Sequence, residues 1–414
     1  MKPVTGYLWS RRGCIKGFRE IIKLIVIARQ SRKRLLCRFA PRKDSYFLSR
    51  KDILNKRNKA LINVIIADDS PFLRNVLKDV LEASNQIKVV HLAKNGKEAV
   101  ELVKTNPCDI LILDCEMPVM NGLDALKQIM AEKPLPVFMF SAYTSKDAAI
   151  TLQALEYGAV DFLQKPSQGA HALEEVSEIL IGKLVTIAEG KRKMLAGLPS
   201  SGLKTHSFAK ACDNLESQKN KIDIIAVGSS TGGVHAATDI IKKLPEHTKP
   251  ILWVQHLPPS FTKGFAERLN SLTKIKVVEA EDGIPVKDDH CYIAKGGVQM
   301  SVARKNNNLY LHSRGTEKVT GHCPSCNVLF ESLSNFYADN ILGVVLTGMG
   351  EDGSQGLLSM HKKGALVIGQ NEESCVVYGM PRAAKRLGAV DIEMSLNEIG
   401  DCLSKLADRT KKAI

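Results

Sequence analysis

Short apolar runs alternate with amphipathic segments from residue 61 onwards. The first run, residues 61–67, is continuous and β-branched, which is typical of a strand buried on both faces. Ser70-Pro71 then supplies a helix N-cap and a proline at the first helical position. The same pattern predicts further strands at 88–93, 109–113, 137–141 and 160–164, and helices at 96–105, 122–132 and 146–157. Such alternation predicts a doubly wound parallel sheet.

A second series of strands begins at residue 222. Residues 182–221 are polar and mixed, with GLPSSG at 197–202, which is typical of a helix end followed by a linker. Apolar strands are then predicted at 222–228, 251–255, 342–347 and 365–369. The chain of 414 residues is too long for one ordinary core. We expect an N-terminal extension (1–60), a first α/β domain (61–180), a linker (181–221) and a second α/β domain (222–414).

The net charge of +14 is concentrated in the extension, which holds 18 Lys and Arg against Glu20, Asp44 and Asp52. No amphipathic face runs through it, so we predict a disordered tail rather than a membrane-surface or nucleic-acid arm. The remainder is close to neutral and lacks a recognition-helix motif, which argues against a DNA-binding response regulator. Apolar runs fall short of the ~20 residues of a membrane span. Sparse, scattered cysteines suit a reducing cytosol, so a cytoplasmic location is expected.

Cys323 and Cys326 have a motif-like spacing, in the sequence Cys-Pro-Ser-Cys. As half of a zinc site they lack a second pair, and as a redox pair they lack the expected βαβ context. We interpret them as structural or substrate-side loop residues.

Polar side chains follow the carboxyl ends of the first series of strands, and these ends line one crevice of a parallel sheet. Three carboxylates there would repel one another unless a hard divalent cation such as Mg²⁺ bound them. A lysine and a hydroxyl beside them would complete an anion site, so the sequence predicts a pocket that accepts a phosphoryl group. The residues are Asp68, Asp69, Asp114, Ser141 and Lys165.

A second cluster is predicted in the second domain, around a glycine-rich turn between a buried strand and a helix. Residues 228–232 match G-x-S-x-G, with Ser230 at the turn. The turn is not a phosphate-binding loop, because no lysine follows the glycines. A serine nucleophile needs a base that is oriented by an acid. His256 and Asp352 follow two other strands, so a Ser-His-Asp triad is predicted at this sheet edge.

Residues 61–166 resemble the receiver domains of bacterial response regulators. The shared features are the double aspartate, Asp114 followed by Met-Pro and a glycine, Ser141-Ala, and Lys165-Pro. The resemblance implies a flavodoxin-like fold in which a histidine kinase phosphorylates Asp114. It further implies that Mg²⁺ is held directly by Asp69 and indirectly by Asp68. The remaining implied roles are a backbone carbonyl ligand at Glu116, phosphate reading by Ser141 and Lys165, and a switch aromatic at Phe162.

The whole arrangement resembles the chemotaxis protein-glutamate methylesterase family, through GSSTGG, WVQHLPPSFTKGFAERLN, HCPSCNVLF, GVVLTGMGEDG and VVYGMPRAA. By this resemblance Ser230 attacks a receptor glutamate methyl ester, His256 moves the proton and Asp352 orients the imidazole. Thr231 and Met349 would line the site, without a cofactor in this domain. The hydrolysis would give receptor adaptation, with glutamine deamidation as a further activity. The implied partners are methyl-accepting receptors and a chemotaxis histidine kinase, without nucleic acid or direct membrane insertion.

The same resemblance implies that the unmodified receiver packs over the esterase cleft and that phosphorylation opens it. The chain departs from the family pattern in the cysteines of HCPSC and at Glu351. Beside Asp352, Glu351 is expected to raise the pKa values of Asp352 and His256. A rival hypothesis is a two-domain adaptor whose second domain binds a partner without chemistry.

Overall fold

The computed structural model describes residues 60–141, 145–165, 170–195, 222–306, 308–336 and 340–409. The predicted basic extension, apart from Ala60, lies outside these ranges, as does the stretch 196–221 of the predicted linker. None of the helices in the described ranges has the length and hydropathy that a membrane crossing requires.

The first half of the described chain is a five-stranded sheet with helices on both faces. Its elements are β1 (Ile62–Ala67), α1 (Pro71–Glu82), β2 (Ile87–Ala93), α2 (Gly96–Thr105), β3 (Ile110–Asp114), α3 (Gly122–Glu132), β4 (Val137–Ser141), α4 (Ser145–Glu156) and β5 (Asp161–Gln164). The strands are parallel in the order β2-β1-β3-β4-β5. This is the flavodoxin-like order, whose switch point lies between β1 and β3.

Both faces of this sheet are buried, as the continuous apolar run of β1 predicted. Ile62, Val64 and Ile66 belong to one core cluster, with residues of α1, and Ile65 and Ala67 belong to another, with residues of α2, α3 and α4. Helix α1 begins as predicted. Ser70 caps it by accepting a hydrogen bond from the backbone N–H of Leu73 at 3.3 Å, and Pro71 occupies the first turn.

Helix α5 (Ala170–Leu195) connects the first sheet to the second domain. It continues through Gly182, where the sequence suggested a helix end, because apolar residues recur along one buried face. Leu180, Leu184 and Ile187 lie on that face and share a core cluster with Val377 of the second domain. The helix therefore packs against both domains.

The second domain contains a seven-stranded parallel sheet. Its elements are β6 (Ile224–Ser229), α6 (Gly233–Ile241), β7 (Ile251–Gln255), α7 (Pro259–Asn270), β8 (Lys276–Glu279), β9 (His290–Ile293), β10 (Met300–Lys305), β11 (Asn308–Ser313), α8 (Cys326–Ser334), β12 (Ile341–Val345), α9 (Ser354–Lys362), β13 (Leu366–Gln370), α10 (Met380–Arg386), β14 (Ile392–Met394) and α11 (Leu396–Ala407). The order is β14-β13-β12-β6-β7-β9-β8, which confirms a second parallel α/β domain. Its switch point lies between β12 and β6, and in sheets of this kind the carboxyl ends at the switch point line the binding crevice.

Sequence patterns missed three strands of this sheet and a separate antiparallel pair. Strands β8, β9 and β14 have only three or four residues, too few for a clear apolar run. Strands β10 and β11 pair antiparallel outside the main sheet, and most of their side chains are half-buried or exposed.

The two domains pack directly on each other. The rings of Phe162 in β5 and Phe261 in α7 have centroids 4.4 Å apart. Beside them Gln164 Nε2 donates to Ser260 Oγ at 3.2 Å, and Arg268 pairs with Glu156. These contacts place β5 and α4 of the first domain against α7 of the second, next to the crevice described below.

Candidate functional sites

The glycine-rich turn after β6 holds Ser230 at the edge of the second sheet. Ser230 is half-buried, and its backbone N–H donates to the Thr347 carbonyl at 3.0 Å. Gly232 caps α6 at φ +80°, and a Cβ there would lie 2.7 Å from the Val376 side chain. Glycine is therefore required at residue 232 by both conformation and space.

A buried hydrogen-bond chain separates the roles of the two adjacent serines. Ser229 is fully buried, accepts a hydrogen bond from Trp253 Nε1 at 2.8 Å and donates to Gln255 Oε1 at 2.6 Å. Gln255 in turn donates from Nε2 to the Ser230 carbonyl at 2.9 Å. The Ser229 hydroxyl thus uses its hydrogen bonds to hold the turn in place. Ser230 is the serine that this arrangement leaves at the crevice.

His256 and Asp352 meet next to this turn. His256 follows β7, and its backbone N–H donates to the Ser229 carbonyl at 3.1 Å. Asp352 lies in the loop after β12, one residue before Gly353, the cap of α9. The His256 Nε2 and Asp352 Oδ2 atoms are 2.8 Å apart, and the two side chains are 8% and 0% exposed. Strands that neighbour β6 on either side therefore supply the second and third members of the predicted triad.

The Asp352 carboxylate is surrounded by hydrogen-bond donors. Its burial favours the neutral form, but the hydrogen bond and charge of His256 outweigh this and hold the pKa of Asp352 well below its usual range. Further donors are Ser325 Oγ at 2.6 Å, the Cys326 backbone N–H at 2.6 Å and the hydroxyl of Thr320. The expectation that Glu351 raises the pKa of Asp352 is wrong: Glu351 is exposed, and the pKa is lowered, chiefly by His256.

An ionised Asp352 can only accept, so His256 donates to it through Nε2–H and, when neutral, keeps its lone pair on Nδ1. Within the described ranges, Nδ1 is buried without a hydrogen-bond partner. The imidazole also stacks on His322, with ring centroids 3.8 Å apart and planes 9° from parallel. Burial, and then the nearby His256, lower the pKa of His322 to about 4, so His322 is neutral near pH 7.

Thr231 and Met349 flank the turn where it meets the first domain. Thr231 Oγ1 donates to Asp161 Oδ2, at the start of β5, at 2.6 Å. The same carboxylate oxygen accepts from Lys183 Nζ of α5 at 2.6 Å. Met349 is half-buried against α5, where a Cβ on Gly182 would lie 3.0 Å from its Cε. The receiver side and the connecting helix thus cover both predicted substrate-lining residues.

The predicted acidic pocket forms at the switch point of the first sheet. Ligand oxygens of Asp68, Asp69 and Asp114 all lie within 4.8 Å of one another. Lys165 Nζ is 2.9 Å from Asp68 Oδ2 and 2.7 Å from Asp114 Oδ2. Burial raises the pKa of Asp114 to about 6, although the Lys165 ammonium opposes the shift. Clustered carboxylate oxygens are the donor set that Mg²⁺ prefers, so the residues fit this ion.

The three other receiver residues with an implied role follow or lie on strands of the same sheet. They are Ser141, Glu116 and Phe162. Ser141 ends β4, is fully buried and accepts a hydrogen bond from Thr151 Oγ1 at 2.9 Å. Glu116 follows β3 with an exposed side chain. Phe162 is buried on β5 against Phe261 of the second domain, as described above.

Sequence reasoning missed the supporting residues Thr151, Asp161, Gln255, Thr320 and Ser325. Two of them carry a usable signal, since Gln255 is the polar end of a buried strand and Asp161 interrupts an apolar one. Thr320 and Ser325 carry no such signal, because they lie in a loop far along the chain from Asp352.

A two-domain response regulator with an α/β effector domain is the class of protein that this fold and these sites define. The receiver family model, described as response regulator receiver domain, matches residues 64–177, and the CheB methylesterase model matches residues 225–403. A protein-glutamate methylesterase/protein-glutamine glutaminase of Methanococcus maripaludis is 40% identical over 342 residues, covering 80% of this chain and 93% of the relative. The same-named protein of Photorhabdus laumondii is 41% identical, covering 81% and 94%.

Among solved structures, the CheB methylesterase catalytic domain of Thermotoga maritima is 35% identical, covering 45% of this chain and 99% of its own, with a TM-score of 0.44. The relatives matched over most of their length establish the family. The chain belongs to the protein-glutamate methylesterase/protein-glutamine glutaminase family.

Proposed function

We propose that this chain hydrolyses glutamate methyl esters on methyl-accepting chemotaxis receptors and that phosphorylation of its receiver regulates this reaction. The observation that carries the hydrolytic part is the 2.8 Å bond between His256 and Asp352 beside the Ser230 turn. It supplies an oriented base at the point where a serine is held at a crevice. An adaptor that only binds a partner does not need this buried pair.

In the proposed reaction, Ser230 Oγ attacks the ester carbonyl carbon while its proton passes to His256 Nδ1. The tetrahedral intermediate collapses when His256 returns this proton to the methoxy oxygen, so that methanol leaves and an acyl-serine remains. His256 then takes a proton from a water molecule that attacks the acyl carbon, and it returns this proton to Ser230 Oγ as the C–O bond breaks and the glutamate leaves. Asp352 keeps the proton of His256 on Nε2 throughout. The unpartnered Nδ1 supports this assignment, and the Ser230 hydroxyl aligns with it when substrate binds.

Thr231 and Met349 are proposed to line the substrate site. Backbone N–H groups near the start of α6 would bind the oxyanion of the intermediate. A helix N-terminus favours negative charge there, and losing one oxyanion donor typically costs about 2.7–4 kcal/mol of transition-state stabilisation.

The receiver is proposed to accept a phosphoryl group on Asp114 from a chemotaxis histidine kinase. Asp69 and Asp114 would bind Mg²⁺ directly, together with the Glu116 carbonyl, and Asp68 would bind it indirectly. The bound ion would neutralise charge on the phosphoryl oxygens. Lys165, already paired with Asp114, would bind the phosphoryl group, Ser141 would donate its hydroxyl to it, and Phe162 would respond as the switch aromatic.

We propose that the contacts across the domain boundary restrain the unmodified enzyme. Asp161 holds Thr231, and α5 lies over Met349, so the receptor segment has to displace the receiver to reach Ser230. Strand β5 connects Lys165 of the phosphoryl pocket to Asp161. Phosphorylation would thus shift the population toward a form with an open crevice. A cytoplasmic location, where a kinase meets its response regulator, is part of this proposal.

The same site supports deamidation of receptor glutamines, the second activity in the printed names of the relatives. Ser230 would form the same acyl-serine, with ammonia as the leaving group in place of methanol.

Methanol release from receptor-containing membranes tests the proposal. Membranes with radiolabelled receptor methyl esters are incubated with the full chain, with and without a small-molecule phosphodonor and Mg²⁺, and volatile label is counted. We expect release that the phosphodonor stimulates and that Ser230→Ala abolishes. Binding to the membranes without any methanol release would instead establish the adaptor. Ammonia release from unmethylated receptors tests the deamidation in the same preparation.

A further inference from the structure

A thiol lies against the His256–Asp352 pair and has no role in the proposed hydrolysis. Cys326 Sγ is 3.7 Å from His256 Nε2, and ligand atoms of His256, Cys326 and Asp352 all lie within 4.8 Å of one another. Cys326 and Asp352 are fully buried, and His256 is 8% exposed. The three side chains come from separate parts of the chain, the end of β7, the start of α8 and the loop after β12.

Imidazole, thiolate and carboxylate form a donor set that Zn²⁺ prefers. With Zn–N of about 2.0 Å and Zn–S of about 2.3 Å, tetrahedral geometry separates nitrogen and sulfur by about 3.5 Å. The 3.7 Å between His256 Nε2 and Cys326 Sγ is close to this value. The distance between His256 Nε2 and Asp352 Oδ2 is 2.8 Å. It would need to widen by about half an ångström to match the separation of a nitrogen and an oxygen ligand in tetrahedral zinc.

We propose that His256, Cys326 and Asp352 form an inhibitory Zn²⁺ site with one coordination position left for water. Binding exchanges protons for the metal. The Cys326 thiol loses its proton to solvent, and the proton on His256 Nε2 moves to Nδ1 as Nε2 becomes a ligand. An imidazole with its proton on Nδ1 cannot accept the proton of Ser230. The metal thus inhibits by fixing the wrong tautomer of the base as well as by occupying Asp352.

Cys326 is suited to be a ligand because a hydrogen bond from its backbone, and not from its thiol, holds it beside Asp352. Its N–H donates to Asp352 Oδ2 at 2.6 Å, and its Sγ lies below the nucleophile turn, 2.8 Å from where a Cβ on Gly228 would be. Replacing Cys326 by serine keeps the backbone donor and nearly the same volume. Cys323, three residues earlier and half-exposed, lies outside the cluster and provides a matched control.

Cobalt(II) spectroscopy of the full chain tests the site directly, after metal is removed with a chelator. We expect a thiolate-to-cobalt charge-transfer band with tetrahedral visible absorption, both displaced by Zn²⁺. The band should disappear in Cys326→Ser and Cys326→Ala and remain in Cys323→Ser. Cobalt at the receiver carboxylates would have oxygen ligands only and would give no sulfur band. A missing band in the parent protein, or a band lost in Cys323→Ser instead, would overturn the proposal.

Inhibition of methanol release by Zn²⁺ is the second measurement, and this arm rests on the proposed function. Each variant is compared with its own zinc-free rate, so a change in basal activity does not affect the result. We expect the inhibiting Zn²⁺ concentration to rise at least about tenfold in Cys326→Ser, because losing even an outer-shell partner of a ligand usually costs about tenfold or more in metal affinity and Cys326 is a direct ligand. Equal inhibition of parent and variant would refute the site. An inactive protein that still shows the cobalt band would refute the hydrolysis alone.

Discussion

Thr231, the residue after the candidate nucleophile, donates its hydroxyl hydrogen to Asp161 of the receiver sheet across an Oγ1–Oδ2 distance of 2.6 Å. Both groups are buried, and Asp161 also accepts from Lys183 of the connecting helix. One carboxylate therefore links the receiver, α5 and the nucleophile turn. Because β5 carries Asp161 at its start and leads to Lys165, a change at the phosphoryl pocket can act on this link.

Replacing Asp161 by alanine should activate the unphosphorylated enzyme. A hydrogen bond to a charged group is worth about 1.5 kcal/mol or more, so its loss should raise basal methanol release by about tenfold and reduce the phosphodonor stimulation correspondingly. Asp161→Asn, which keeps an acceptor for Thr231 but not the charge that pairs with Lys183, should lie between parent and alanine variant.

The matched control for Asp161 is Asp109→Ala, which removes a receiver carboxylate that accepts the Asn63 N–H at 2.8 Å, away from the domain boundary. It should lower stability without raising basal release. If Asp109→Ala activates as strongly as Asp161→Ala, general loosening of the receiver is the cause and the specific link is refuted.

The adjacent serines should separate catalysis from stability. Ser230→Ala should reduce methanol release by about three orders of magnitude or more, with an unchanged urea midpoint. Ser229→Ala leaves Trp253 Nε1 and Gln255 Oε1 buried without their partner, so it should cost about 1–3 kcal/mol of unfolding free energy and retain turnover. Loss of turnover in Ser229→Ala with Ser230→Ala active would reverse the two assignments.

The positions of Asp68, Asp114, Ser230, His256 and Asp352 were predictable because parallel strands bring their carboxyl ends to one edge. Each follows an apolar run that the sequence displays clearly. Strand order was not needed for this inference, since any parallel order brings these ends to the same side.

The environment of these residues was not predictable from local sequence. Glu351 suggested a raised pKa for Asp352, whereas the hydrogen bond and charge of His256, supported by the hydroxyls of Ser325 and Thr320, produce the opposite shift. These hydroxyls are contributed by a loop more than twenty residues away, and no periodic pattern marks loop contacts. The contact between Asp161 and Thr231 is hidden for the same reason, since it depends on how two separately folded sheets pack.

His322 should make the stability of the metal-free protein depend on pH. Its pKa is about 4 in the folded protein against 6.5 for an ordinary histidine, so between these values the unfolded chain binds a proton that the folded chain does not. Stability is therefore lost as pH falls from 6.5 toward 4. His322→Phe keeps a ring against His256 and removes this dependence. Both proteins are denatured with urea in the presence of a chelator. The difference between their free energies of unfolding should change between pH 4 and pH 6.5 and stay constant above pH 6.5.

His322→Ala is the companion to this experiment, since it removes the titrating group and the stacked ring together. It should share the pH behaviour of His322→Phe but lose methanol release, because the imidazole of His256 then lacks the ring that stacks on it. Equal activity of the alanine and phenylalanine variants would show that the stack at 3.8 Å does not position the base.

Asp114→Asn should uncouple the enzyme from its phosphodonor. An amide cannot accept the phosphoryl group, and Lys165 keeps Asp68 as its partner at 2.9 Å, so the receiver should stay folded. The ratio of stimulated to basal methanol release, measured within each protein, should fall to one in the variant. Chelating Mg²⁺ should abolish stimulation of the parent in the same way, because three close carboxylates then lack the cation that a phosphoryl group requires. Stimulation that survives in Asp114→Asn would mean that the phosphodonor acts at another group, and the route from Asp114 through Lys165 and β5 to Asp161 would be wrong.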